Sequence, residues 1–443
     1  MKPTTSFLPI LLTMLLLPPN PLTAAEDLES ANGRTEVKIA AVQISGYDKG
    51  DLPRKDNDVV ATLVPYIDRA KKDDAELVVF PEYVLGHISV PGPETKRISA
   101  AAAASGIYVI VGCWETIDDS NYANTALIFG RDGRIVGKYL KTHAAVDHFE
   151  GDPAWSQPPS GKDRDWFLRN DPEWTMNRGE DLPVFDFDFG RVGILTCYDG
   201  WFPESFRALS LKGAELIVWI NGRRGSVEDF IMKSVMFQSH VAMVSANQAY
   251  GGGTMIGTLP ASILARCLPR EEAYISASVD FTKIRRARRY SRNFQQRRPD
   301  LYRALTHAKL SDGNRVARDL ESETPQHRSR PAQKLRVASC QFQVSADIAS
   351  NARWIRQYMS DAKEAGAHLL HTSESCLSGY AGTDFDSFDG FDWDLLRHET
   401  RRLCRLAREL DLWLVLGSTH FLDAETKPTN CLYLIDPHGQ IVD

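Results

Sequence analysis

Two widely separated stretches of this chain follow the same pattern, and that repeat limits the fold more than any other feature. Ala40-Ala41-Val42-Gln43 closes the first, and Leu335-Arg336-Val337-Ala338-Ser339-Cys340-Gln341 is the second. Next come Gly366-Ala367-His368-Leu369-Leu370 and Ser373-Glu374-Ser375-Cys376-Leu377-Ser378-Gly379-Tyr380, which answer the apolar run at 75–80 and Pro81-Glu82-Tyr83. Leu414-Val415-Leu416-Gly417 matches Val109-Ile110-Val111-Gly112 in kind, while Asn430 and Gly439 line up with Asn124 and Gly133. Such self-similarity marks one domain present twice. Aligned on Gly133, Asp443 corresponds to Gly137, so the second copy stops before the later strands. An unfinished sheet leaves open edges and exposed core. The chain is therefore expected to be a fragment of a longer tandem protein.

Within the first copy, strand and helix signals alternate. Residues 37–43 and 76–80 read as buried strands, and Val59, Val60, Leu63, Val64 and Ile67 between them have helical spacing. Residues 192–196 read as a strand, 203–211 as a helix, 216–220 as a strand, 229–239 as a helix and 241–246 as a strand. This alternation predicts an α/β fold.

Three chemically distinct side chains stand at strand ends. Glu82 ends the run Phe80-Pro81-Glu82-Tyr83. Lys141 closes the strand that follows a hairpin at Gly133, in Tyr139-Leu140-Lys141-Thr142-His143. Cys197 lies between the strand at 192–196 and a helix opened by Pro203-Glu204. A carboxylate, an ammonium and a thiol so placed can converge on one rim of a sheet. The chemistry then follows. An amide carbon is a poor electrophile and a neutral thiol a poor nucleophile, so passage through a thioester splits one hard step into two. Glu82 suits a general base that later protonates the leaving amine and activates water. Lys141 and the Tyr198 NH suit the developing oxyanion, and a nearby cation also favours the thiolate.

Taken in this order, Phe80-Pro81-Glu82, Tyr139-Leu140-Lys141-Thr142-His143 and Cys197-Tyr198-Asp199 with Phe202-Pro203-Glu204 resemble the motifs of the nitrilase, or carbon–nitrogen hydrolase, superfamily. Gly112, Asn124, Gly133, the run at 212–218 and Arg298-Pro299-Asp300-Leu301-Tyr302 fit the same pattern, so the resemblance covers residues 36–305. It implies a four-layer α-β-β-α sandwich, in tandem, with the second copy (334–443) truncated after a linker at 306–333. It implies catalytic Glu82, Lys141 and Cys197, and no cofactor or metal. The family often adds a second glutamate between lysine and cysteine. Glu173, shortly before Gly179-Glu180-Asp181, is favoured over Glu150. Tyr198-Asp199 after the nucleophile is closer to amidases and carbamoylases than to true nitrilases. The expected substrate is a small-molecule amide or carbamoyl compound, with a nitrile less favoured.

The remaining expectations concern context. Lys2, the apolar run at 7–17, the prolines at 18, 19 and 21 and the small residues at 23–25 read as a signal peptide over 1–25, hence export to the periplasm or beyond, with no stable membrane insertion after cleavage. Seven cysteines allow bridges beside one free thiol, with pairing left open. A net charge of −6 on 443 residues gives no reason to expect nucleic acid. The basic run at 283–298 reads as a solvated or subunit-facing extension, and family subunits commonly pair, which allows a homodimer. The segment between Lys141 and Val184, with Trp155, Trp166, Phe167 and Trp174, reads as a lid over the pocket or as a surface loop with its aromatics packed beneath it. Arg223 and Arg224 follow a strand and could fork a substrate carboxylate. A competing reading is a catalytically silent binding or assembly module, because Val235-Met236-Phe237-Gln238-Ser239 departs from the family's usual helix.

Overall fold

Alternating burial along the strands sets the layers. The computed structural model describes residues 35–45, 58–119, 121–145, 173, 176–302, 305, 334–421 and 426–443. The expected leader, the linker, Glu150, Trp155, Trp166, Phe167 and Trp174 lie outside the described residues. The chain divides into two units, residues 1–322 and 323–443.

The first unit contains strands β1 (Glu36–Gln43), β2 (Leu77–Val79), β3 (His87–Ser89), β4 (Tyr108–Thr116), β5 (Tyr122–Phe129), β6 (Ile135–Leu140), β7 (Val184–Phe187) and β8 (Gly190–Thr196). It continues with β9 (Leu216–Asn221), β10 (Ala242–Asn247), β11 (Thr254–Thr258), β12 (Ser262–Cys267) and β13 (Ala273–Asp280). Its helices are α1 (Val59–Lys72), α2 (Pro93–Ser105), α3 (Pro203–Leu211), α4 (Asp229–Ser239), α5 (Phe281–Tyr290) and α6 (Arg292–Gln295). One sheet runs β13-β1-β2-β4-β5-β6 with β3 added on β4, and the other runs β12-β11-β10-β9-β8-β7. Side chains alternate across each sheet. In β1, Val37, Ile39 and Ala41 enter the core between the sheets, with Ile194, Val218 and Val244 from the other side. Ala40 and Val42 face the opposite way, into a second core with Val60, Leu63, Ile67 and Ile98 of α1 and α2. Phe206, Leu209, Met232 and Met236 of α3 and α4 cover the outer face of the second sheet. The result is the expected α-β-β-α sandwich. Each fully buried Leu, Ile or Val contributes roughly 1.5–3 kcal/mol.

The basic run is partly built into this fold rather than left in solvent. Arg285 Nε donates to Glu215 Oε1 at 2.6 Å. Arg288 donates to the carbonyls of Ala214 and Ser210, each at 2.6 Å. Those carbonyls lie at and just beyond the C-terminal end of α3, where the helix dipole favours a cation.

The second unit has β14 (Val337–Ser339), β15 (Leu369–His371), β16 (Trp413–His420) and β17 (Thr429–Ile435), with α7 (Ile348–Glu364) and α8 (Trp393–Leu410). Its sheet order is β14-β15-β16-β17. Two parallel pairs followed by an antiparallel one repeat the pairing of β1, β2, β4 and β5. Ile355, Met359, Leu403 and Ala407 pack with Leu370, Leu414 and Leu416. Val337 and Leu432 are each 54% exposed.

Candidate active site

The glutamate is presented by a turn pressed flat against its neighbouring strand. β2 ends at Val79, and Phe80 N still bonds Ile110 O at 2.8 Å before Pro81 turns the chain. Tyr83 has φ 41°. Gly112 of β4 lies so close beneath that a Cβ there would meet Tyr83 N, Glu82 Cα and Pro81 O at 2.5, 2.6 and 2.7 Å. Only glycine allows this approach. Glu82 is fully buried. Asn124 Nδ2 donates to its Oε1 at 2.7 Å, and Gln248 Nε2 donates to its carbonyl at 2.8 Å.

The lysine follows β6 directly. Lys141 N bonds Asn124 O at 2.9 Å, and the buried ammonium reaches Glu82 Oε1 at 3.0 Å and Glu173 Oε1 at 2.6 Å. Glu173 is itself held by the Ala145 NH, which donates to its Oε2 at 2.6 Å. The structure thus brings Glu173 to the lysine.

The cysteine sits at a strained corner. Between β8 and α3 the chain makes a short 3-10 turn, Cys197–Trp201, rather than passing straight into the helix. Cys197 has φ 48°, in the left-handed region that non-glycine residues rarely adopt and that often marks functional positions. Trp219 Nε1 donates to the Cys197 carbonyl at 2.8 Å, fastening the corner to β9. Tyr198 follows within the turn, its ring edge-on to Phe202 at 5.3 Å.

Asp199 ties the lysine strand to this corner. Fully buried, it accepts bonds from Tyr139 Oη at 2.6 Å, Thr142 Oγ1 at 2.9 Å, His143 N at 2.8 Å and Thr196 N at 2.9 Å. Burial raises the pKa of its carboxyl, yet the bonds from His143 and Tyr139 outweigh that and hold it below the usual range. The sequence contains Asp199 in a quoted motif, but its clamping role depends on partners 56–60 residues away.

Electrostatics decide the resting protonation. Burial pushes the Glu82 carboxyl up, against the pull of Lys141. Burial alone would lower the Lys141 ammonium, but Glu173 and Glu82 hold it well above its ordinary value. Burial, then Glu82, drive the Cys197 thiol far up, and Lys141 and Arg223 only partly oppose this. The cation's pull toward the thiolate is therefore present but outweighed here by burial and by Glu82, which both favour the protonated thiol.

Arg223 and Arg224 part ways. The Arg223 guanidinium pairs with Glu228, donates to Ser226 O at 2.8 Å and lies 5.7 Å from the Trp219 ring, while Arg224 is exposed. Tyr83 and Tyr250 hydroxyls both donate to Gly222 O, the carbonyl just before Arg223. All seven cysteines carry free thiols. Among the described residues, no group of three or more His, Cys, Asp or Glu could hold a metal ion. A cavity of about 1040 Å³ opens between α3 and α4, near Trp201, Arg207 and Phe230, and holds none of Glu82, Lys141 and Cys197.

The carbon-nitrogen hydrolase family model matches residues 38–289 and 336–443. An omega-amidase from Homo sapiens is 26% identical over 236 residues, 50% of this chain and 78% of that protein. A probable nitrilase from Schizosaccharomyces pombe is 27% identical over 257 residues, 52% of this chain and 85% of that protein. Among solved structures, a carbon-nitrogen hydrolase from Helicobacter pylori superposes with TM-score 0.49 at 18% identity, covering 62% of this chain and 99% of that one. An amidase from Nesterenkonia sp. does so with TM-score 0.46 at 17% identity, covering 61% of this chain and 97% of that one.

Proposed function

Since the chain belongs to the carbon-nitrogen hydrolase family, we propose that its first unit is an exported amidohydrolase that opens the C–N bond of a linear amide or carbamoyl compound through a Cys197 thioester. The observation that carries this reading is the buried ammonium of Lys141, bonded at once to Glu82 and Glu173. Leaving such a charge without one partner costs on the order of 3–5 kcal/mol, so the trio is held as a unit.

Glu82 takes the proton from Cys197 Sγ as the sulfur–carbon bond forms, and the carbonyl becomes an oxyanion. Lys141 and the Tyr198 NH stabilise that charge, and Glu173 keeps the ammonium oriented. Collapse of the intermediate breaks the C–N bond, and Glu82 returns the proton to the departing ammonia or amine. Glu82 then takes a proton from water, whose oxygen attacks the thioester. The sulfur–carbon bond breaks, the acid departs and the proton returns to sulfur.

Curated relatives named omega-amidase make linear amides the first compounds to try. Arg223 Nη2 is committed to Glu228 and Ser226 O, so only its Nη1, which has no partner among the described residues, and the exposed Arg224 would be left to meet an acidic group on such a substrate. The basic and apolar N-terminal stretch supports export.

Ammonia release against a panel of amides, carbamoyl amino acids and nitriles tests the reading, with Cys197→Ala beside the parent protein. Activity lost in the variant is the expected result. A folded parent with reduced Cys197 and no activity across the panel would overturn it.

A further inference from the structure

Glu82 has two oxygens, and the site treats them differently. Asn124 Nδ2 donates to Oε1 at 2.7 Å, and Lys141 Nζ donates to the same atom at 3.0 Å. Among the described residues no donor is bonded to Oε2. Asn124 also accepts Lys141 N on its own carbonyl at 2.9 Å, so one residue of β5 fixes the carboxylate and the lysine backbone together.

The second unit isolates one part of this arrangement. Asn430 Nδ2 donates to Glu374 Oε1. Asn430 faces Thr419 across β16 and β17 as Asn124 faces Trp114 across β4 and β5. Among the described residues, the partner of the Glu374 carboxylate is this asparagine and no cation is paired with it. The asparagine–glutamate bond therefore forms without a lysine.

We infer that Asn124 is a positioning residue that commits Glu82 Oε1 to being held and leaves Oε2 to carry the proton between Cys197 and the leaving group. Lys141 can then shift toward an oxyanion without releasing the carboxylate. This inference rests on the reading of Glu82 as general base. The ionisable groups facing Glu82 are Lys141, Glu173, Cys197 and the phenols of Tyr83 and Tyr250. Removing the Asn124 donor takes away a bond to the charged form, so Glu82 must ionise at higher pH.

The test is the pH profile of Cys197 alkylation by iodoacetamide, which needs no substrate, in the parent, Asn124→Ala and Asn124→Asp. Thr125→Val, a buried change on the same strand, is the control for folding. The acid limb is expected to rise by roughly one pH unit in Asn124→Ala and further in Asn124→Asp, which sets a second carboxylate beside Glu82. On any amide that is turned over, kcat should fall about 10- to 100-fold with KM within about threefold. An acid limb that stays at the Thr125→Val position, or a change in KM alone, overturns the inference. Should the alanine variant not fold, the near-isosteric Asn124→Asp carries the same test. A chain that turns over no amide yet shows the shift keeps this inference and loses the proposed function; turnover with an unmoved limb does the reverse.

Discussion

Glu82 and Glu374 leave their strands by the same turn and arrive in different surroundings. Each is followed by a residue with positive φ, Tyr83 at 41° and Ser375 at 49°. Each turn lies over a strand glycine, Gly112 or Gly417, with no room for a Cβ. Each carboxylate accepts from an asparagine on the next strand. Yet Glu82 is fully buried beside a lysine, and Glu374 is exposed. The turn is therefore a local device, built by two parallel strands and a hairpin. The reactivity comes from what the second sheet of the first unit brings to it. Strands β8 and β9 supply the cysteine corner and its fastening, and the carbonyl of Glu82 is held by Gln248, just beyond β10.

The largest difference should appear on neutralising the two glutamates. Glu82→Gln is expected to lower kcat by about 10²- to 10⁴-fold, as for the loss of a general acid–base group. Glu374→Gln should leave ammonia release within about twofold. The parent's kcat/KM should rise with pH through a midpoint above the ordinary glutamate value, because burial favours the protonated, inactive form of Glu82. Equal losses from both substitutions would break the comparison and place Glu374 in the chemistry.

A smaller effect tests the shared scaffold. Gly112→Ala and Gly417→Ala both drive a methyl into the turn, and overpacking of that kind typically costs about 1–3 kcal/mol. Hydrogen exchange on peptides of each unit should show each change loosening only its own unit, with catalysis lost from Gly112→Ala alone. Loosening that spreads to both units would mean that they fold as one.

The smallest effect lies at the helix caps. Asp58 accepts from Ala61 N at 3.1 Å to start α1, and Asp347 accepts from Ser350 N at 3.0 Å to start α7. Asp58→Ala and Asp347→Ala should each lower the melting midpoint of its own unit by no more than about 5 °C. A markedly larger drop in one would show that its helix does more than cover a sheet.

Much of this arrangement is legible in the chain. Helices α3 and α4 fall where their apolar spacing and Pro203 place them, and Glu82, Lys141 and Cys197 each sit at the end of a strand or one to three residues beyond it. The gaps have a common cause. Asp199 and Asn124 stand in the quoted motifs, but their partners lie 42–60 residues away, and no local period announces such contacts. Arg288 reads as part of a solvated or subunit-facing run, because nothing in the run itself shows that its guanidinium will reach the carbonyls of Ala214 and Ser210.

What the sequence by itself determined is the repeated domain, its alternation of strands and helices and the order of the three reactive groups. Those depend on short-range periodicity and on turn residues, which any reader of the chain can see. Only the tertiary structure decided that Glu173 meets the lysine, that burial raises the thiol's pKa despite the nearby ammonium, and that, among the described residues, one oxygen of Glu82 is left without a donor. Each depends on burial and on distances between remote residues, and neither exists until the two sheets have closed on one another.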